Sequence, residues 1–316
     1  MKLLRTLGGA ALALALGLGT VGAADAAAPR PDRTAGTSTS ETSAADDAAA
    51  RAYWTPERMA ATVAEEAKAA GDDAADRAEV DAAAARFAVN RSVDRTVGRV
   101  FYFNTVEQVN KSCTASALNS PSKMMVITAA HCVAGKGSRM NGNEAKWFKV
   151  DWIYVPAYDG TAPYPYGMFT WKQARVFNNW LDESDPPEWD VAMVTLNPNA
   201  NGQKVVEATG GNGLVVNRRE ETFVTAVGYP ANIDDAAHQV SCAGTLERLI
   251  LYPILLDLPC RTLGEGSSGG PWLWVDPNTL QTAVNGVTRA HDGVEIDTPY
   301  FDDNVWGMYT RQGSIT

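Results

Sequence analysis

From about residue 96 onward the chain is interrupted at short intervals. Apolar or β-branched runs ("GRVFYF", "MMVIT", "KWFKVDWIYV", "DVAMVTL", "TFVTAVGYP", "TAVNGVTRA", "NVWGMYT") are each bounded by Gly, Pro, Asn or Asp. This punctuation restricts the fold more than any other feature. Runs of that length, rich in Val, Ile, Thr and aromatics, suit strands and are too short for packed helices. The expectation is an all-β protein, a sandwich or barrel, with no repeat of fixed period. Residues 96–316 are enough for two barrels. A boundary between halves is expected near Asn197–Gly213, where "NPNANGQ" and "TGGNG" punctuate the chain.

Upstream the texture is different. Lys2 and Arg5 precede the apolar "LGGAALALALGLGTVGA", and "ADA" and "AAA" then offer small-x-small cleavage sites, so residues 1–28 look like a secretory signal peptide. The later "LILYPILLDL" is roughly half a membrane span and contains proline, so no membrane association is expected once the signal is gone. Residues 29–95 begin with the low-complexity "STSETSAADDAAA", expected to be disordered. A helix is expected from Thr55, a plausible N-cap, with Pro56 at its first position and a break near Gly71. With no cysteine and few branched residues, the segment cannot build its own core. The favoured reading is a prosegment, removed after export and a partner of the domain that follows; the alternative is a helical spacer that stays attached.

Export makes the cysteines informative. Cys113, Cys132, Cys242 and Cys260 are even in number and allow three pairings. The sequential pairing, Cys113–Cys132 with Cys242–Cys260, closes two short loops worth about 3 kcal/mol each in the chain-entropy model. No C-x-x-C spacing points to metal or redox work, and Asp182, Glu183 and Asp185 lack calcium-ligand spacing, so neither metal nor cofactor is expected. A formal charge of −10 disfavours nucleic acid as a partner.

Three places carry chemistry. "GEGSSGGPW" holds Ser267 and Ser268 in a frame of glycines, too flexible for a helix and too small-sided for a core. A nucleophilic serine needs an exposed Oγ and backbone amides aimed where negative charge develops, and glycine lets two amides converge without obstruction. That logic selects Ser268, with the amides of Gly266 and Ser268 as oxyanion donors and Ser267 turned inward. His131, in "VITAAHCV", leaves an apolar run beside Cys132, with Ala129 and Ala130 keeping its ring accessible. Asp190 opens "DVAMVTL" at a strand edge, where a carboxylate can hold an imidazole and stabilise its protonated form.

In that order, "TAAHC", "DVAMV" and "GSSGGP" resemble the chymotrypsin/trypsin-like serine peptidases. "VGYP" (227–230) is similar to the bacterial glutamyl-endopeptidase branch, and "GMYTR" (307–311) looks like the family's GVYTR. The resemblance runs from about residue 97 onward. It implies two six-stranded antiparallel β-barrels and a secreted, monomeric endopeptidase acting on protein or peptide substrates. His131 would be general base then acid, Asp190 its orienting partner and Ser268 the nucleophile, with Cys113–Cys132 the bridge behind the histidine. The departures are as informative. Ser267 replaces the aspartate of the family's zymogen switch, so activation should depend on release of the prosegment. The pocket positions carry Thr262, Thr288 and Gly307, which define no charge, although His291 lies three residues beyond Thr288. No C-terminal helix is expected, since only five residues follow Arg311. Two rivals share these residues. Gly266-x-Ser268-x-Gly270 fits an α/β-hydrolase esterase, but His291 is the sole histidine after Ser268 and βα alternation is lacking. The other is an inactive peptidase homologue acting as a binding module, which would keep the fold behind a blocked cleft; the presence of all three triad residues argues against it.

Overall fold

Seven strands make up the first sheet: β1 (Thr37–Glu41), β2 (Val97–Asn104), β3 (Val109–Leu118), β4 (Met125–Thr128), β5 (Ile153–Pro156), β6 (Phe169–Phe177) and β7 (Ala192–Leu196). They are described in a computed structural model, which covers residues 35–71 and 93–316 apart from 163, 185, 219–220, 232, 234–236 and 249–253. The expected signal peptide and the later part of the expected prosegment lie outside the described residues. The strand order is β1-β6-β5-β2-β3-β4-β7, and a further β6–β7 pairing closes β2–β7 into a six-stranded antiparallel barrel. Closure buries one face of the strands and a second cluster, shared with the second half and the amino-terminal helices, covers the other, so β4 and β7 are buried throughout rather than alternately. Trp152, Trp171, Trp180, Tyr154 and Phe169 fill the interior.

The second half has a looser plan. β8 (Gly213–Leu214), β9 (Phe223–Gly228), β10 (Val240–Thr245), β13 (Pro271–Val275) and β14 (Thr282–Val287) form one sheet. The others, β11 (Glu247–Arg248), β12 (Leu255–Pro259), β15 (Ala290–His291) and β16 (Glu295–Pro299), form a second, in the order β11-β12-β16-β15. Trp272, Leu256, Leu258 and Ile296 belong to one core there. The all-β expectation holds, while among the described residues only the first half closes as a ring of paired strands.

The amino-terminal segment differs from expectation. "STSETSAADDAAA" is ordered: β1 pairs with β6 along the barrel wall, and α1 (Ala44–Tyr53) follows under a capping box between Ser43 and Asp46. α2 (Pro56–Gly71) starts where the sequence placed it, the Thr55 hydroxyl accepting from the amide of Arg58. The segment borrows the domain's core instead of building one. Trp54, Met59 and Val63 are buried in the same cluster as Phe101, Ile153 and Tyr158. Burial of a methionine or valine side chain is worth about 1.5–3 kcal/mol, so the docking is substantial.

The other difference lies at the far end. "NVWGMYT" is helix, not strand: Asp302 caps residues Asp303–Gln312, and Val305 and Met308 are buried. Spacings of three and four residues between Val305, Met308, Tyr309 and Gln312 give a helical stripe that the match to GVYTR obscured. Gly307 therefore sits in a helix facing Arg311, not on a pocket wall, and the expectation that no C-terminal helix exists is corrected. The helix reaches back to the first barrel. Fully buried Gln312 donates to the Gln173 carbonyl (3.0 Å) and the Thr195 hydroxyl (2.8 Å), and accepts from Arg175 (3.0 Å).

Candidate active site

His131 stands in a single turn of 3-10 helix directly after β4, and Cys132 beside it is bonded to Cys113 on β3. The turn is thus pinned to two strands of the barrel. Asp190 lies just before β7, the neighbour of β4, and is 3% exposed. One carboxylate oxygen accepts from the backbone amide of His131 (2.9 Å), and the other meets the ring Nδ1 (2.8 Å). With Nδ1–H donating to the carboxylate, Nε2 is left with its lone pair. Burial opposes protonation of the imidazole. The charge and hydrogen bond of Asp190, with a contribution from Glu265, outweigh it and hold the pKa above the usual histidine value. The second bridge joins Cys242 and Cys260, so the pairing is the sequential one. The two sulfurs near His131 are thereby consumed, which removes the one tight His/Cys/Asp/Glu cluster among the described residues from any metal role.

The serine arrives on backbone alone. Gly266 and Gly269 adopt φ of +84° and +80°, where a side chain is strained. A Cβ at Gly269 would also stand 2.0 Å from the Thr128 hydroxyl and 2.4 Å from the Thr114 carbonyl, so the loop abuts the first barrel. Its carbonyls are held from within the protein. Glu265 accepts from the Ala231 amide (2.7 Å), Ser267 from the Gly270 amide (2.9 Å) and Ser268 from the Thr114 amide (2.7 Å). The Gly266 carbonyl accepts from the Thr114 hydroxyl (2.9 Å). In a planar trans peptide the N–H points opposite the C=O. Carbonyls of 265 and 267 turned inward therefore aim the amides of Gly266 and Ser268 the other way. Neither amide donates to a described group.

His131, Gly266 and Ser268 line one open cleft of 1710 Å³, together with Ser112, Cys113 and Glu265. The Ser268 hydroxyl and the imidazole share it without a direct hydrogen bond in this conformation, as is common before substrate tightens such a pair. Ser267 is fully buried, and its Oγ has no hydrogen-bond partner among the described residues. That hydroxyl therefore fits the inward orientation expected of it.

None of the nominated pocket residues lines this cleft, although the Thr288 main chain accepts from the Gly269 amide (2.7 Å) and donates to the Gly270 carbonyl (2.9 Å) of the serine loop. Thr262 is 6% exposed beside the Cys260 sulfur, and the Thr288 hydroxyl is turned inward to accept from Trp272 (2.9 Å). Gly307 is in the C-terminal helix. His291 instead pairs with Glu265 at 3.5 Å, lowering the glutamate's pKa and raising its own. Of the acids in the loop before Asp190, Asp182 is engaged by Arg139 (2.6 Å), and Asp185 lies outside the described residues. Sequence reasoning found α2 but not its place at the cleft, which Glu65, Glu66, Ala69 and Ala70 line. It also missed Arg99 beneath them, which a charged residue inside the apolar run "GRVFYF" could have flagged.

No family model and no curated protein matches the chain. Solved structures do. The protease Anisep from Arthrobacter nicotinovorans is similar at 26% identity and TM-score 0.60, over 72% of this chain and 99% of that one. A thermostable serine protease, AL20, from an extremophilic microorganism matches at 24% identity and TM-score 0.60, over 71% of this chain and 99% of the other. A Glu endopeptidase matches in fold at 18% identity and TM-score 0.53, over 70% and 92%. In its fold, and in the order of its His, Asp and Ser motifs, the chain resembles the chymotrypsin-like serine proteases of bacteria.

Proposed function

We propose that the protein is a secreted serine endopeptidase that cuts peptide bonds through an acyl-enzyme. The observation that supports this most directly is the doubly anchored Asp190–His131 pair, in one cleft with Ser268 and two undonated amides. Nε2 of His131 takes the Ser268 proton as Oγ attacks the carbonyl carbon, and the amides of Gly266 and Ser268 receive the oxyanion. The imidazolium, stabilised by buried Asp190, hands the proton to the leaving amine. Water, activated by the same nitrogen, then releases the acyl group. Two disulfides fit an oxidising compartment and hence export. The amino-terminal segment would act as a prosegment, its α2 covering part of the cleft until it is cut away.

A fluorophosphonate probe tests the nucleophile. Labelling of the wild-type chain after limited proteolysis of the amino-terminal segment should survive Ser267→Ala and vanish in Ser268→Ala. Labelling that persists in Ser268→Ala would remove the assignment.

A further inference from the structure

Arg99 is a buried cation just behind the cleft wall, next to Glu66, Ser112 and Gly266, which line it. It lies on β2, fully buried, with its guanidinium 5.7–5.9 Å from the rings of Phe101, Tyr158 and Tyr229. Its Nε and Nη2 donate to the Ser112 hydroxyl at 3.0 and 2.8 Å. Nη2 also reaches the Glu66 carboxylate of α2 at 3.1 Å. The same carboxylate accepts from the Ser112 amide (2.6 Å) and the Ser112 hydroxyl (2.5 Å). A guanidinium, a backbone N–H and a hydroxyl thus converge on one carboxylate, and a buried cation is costly without such a counter-charge.

The place of this cradle is specific. Ser112 immediately precedes Cys113, whose bridge leads to Cys132 and His131. A Cβ on Gly266 would lie 3.7 Å from Arg99 Nη2, so the oxyanion loop borders it. Because His131 passes its proton to the departing amine, that fragment leaves on the imidazole side, past the Cys113–Cys132 bridge.

We propose that Arg99, with the amide and hydroxyl of Ser112, forms a carboxylate-binding subsite on the leaving-group side of the cleft, which Glu66 fills from within the chain. Once α2 is displaced, the subsite takes an acidic side chain, or the terminal carboxylate, of the peptide fragment that leaves first. Its placement rests on the peptidase reading; its preference for a carboxylate does not.

Binding can therefore be tested without turnover. In the full chain carrying Ser268→Ala, cut between α2 and β2 by limited proteolysis so that α2 can leave, with and without Glu66→Ala, calorimetry compares three peptides with free amino ends: Ala-Glu-Ala amide, Ala-Gln-Ala amide and Ala-Gln-Ala with a free carboxyl terminus. In the Glu66→Ala background at least one carboxylate-bearing peptide should bind about tenfold tighter than the neutral one. With Glu66 present, the discrimination should disappear. The acidic amide and the free acid distinguish a side-chain from a terminal carboxylate. Equal affinity for all three overturns the subsite. Glu66→Gln, which keeps the helix shape and removes the charge, serves if the alanine variant folds poorly, and Ser112→Ala should reduce the preference. Fluorophosphonate labelling of the Glu66→Ala chain, with Ser268 intact, reports on the peptidase reading separately.

Discussion

The two halves of the molecule hold their parts of the site by different means. The closed barrel fixes His131 and Asp190 through side chains: a carboxylate with two bonds to one residue, and a disulfide one position away. The second half fixes Ser268 through the main chain, with glycines at positive φ and carbonyls tied down from behind. The proposed proton relay needs one tautomer and one ring orientation, which a fixed acceptor at Nδ1 imposes, here the Asp190 carboxylate. A nucleophile with an oxyanion site needs bare amides, so side chains there would obstruct.

Asp190→Asn should break the side-chain half most severely. The fold should survive, with kcat reduced by about 10⁴-fold through the wrong imidazole tautomer. Because the aspartate raises the His131 pKa, the acid limb of kcat/KM should also move to lower pH in the variant. A stopped assay across pH, with a melting curve as control, checks both. Unchanged turnover would show that the anchored pair is not the relay.

The bridges sharpen the contrast. They span 19 and 18 residues, so the chain-entropy model gives each about 3 kcal/mol of stability. Replacing Cys242 and Cys260 by alanine should lower the unfolding free energy by that amount and leave kcat of the surviving folded enzyme within a few-fold. The Cys113/Cys132 pair of substitutions should cost similar stability and, in addition, most of the activity. Denaturant unfolding paired with kinetics separates the two outcomes.

The smallest effect belongs to the second half. Burial, with the negative charges of Glu295, Asp297, Asp292 and Glu247, pushes the Asp257 carboxyl up to about 7. The folded protein then holds a proton there that the unfolded chain releases near pH 4, so stability falls as pH rises between the two. Asp257→Asn should abolish that slope and gain about 1–3 kcal/mol above pH 7. Urea midpoints measured at pH 5 and pH 8 would detect it, and an identical slope in the variant would reassign the effect.

Much of this was legible in the chain itself, for physical reasons. Short β-branched runs have few alternatives to strands, and a serine between glycines next to a proline has few to a loop. "GMYTR" misled because five letters carry no periodicity, whereas the stripe from Val305 to Gln312 does. β1 was hidden because its polar sequence gains order only by pairing with β6. The surroundings of the cleft were hidden for a similar reason: Thr288 turns toward Trp272, and Glu66 meets Arg99 across 33 positions of sequence. Neither orientation is a local property.

The buried Gln312 has a consequence for biogenesis. Its amide completes bonds to Gln173 and Thr195, which precede it by 139 and 117 positions. During vectorial synthesis those acceptors emerge long before their donor, so the first barrel must wait, incompletely satisfied, for the carboxyl-terminal helix to be made.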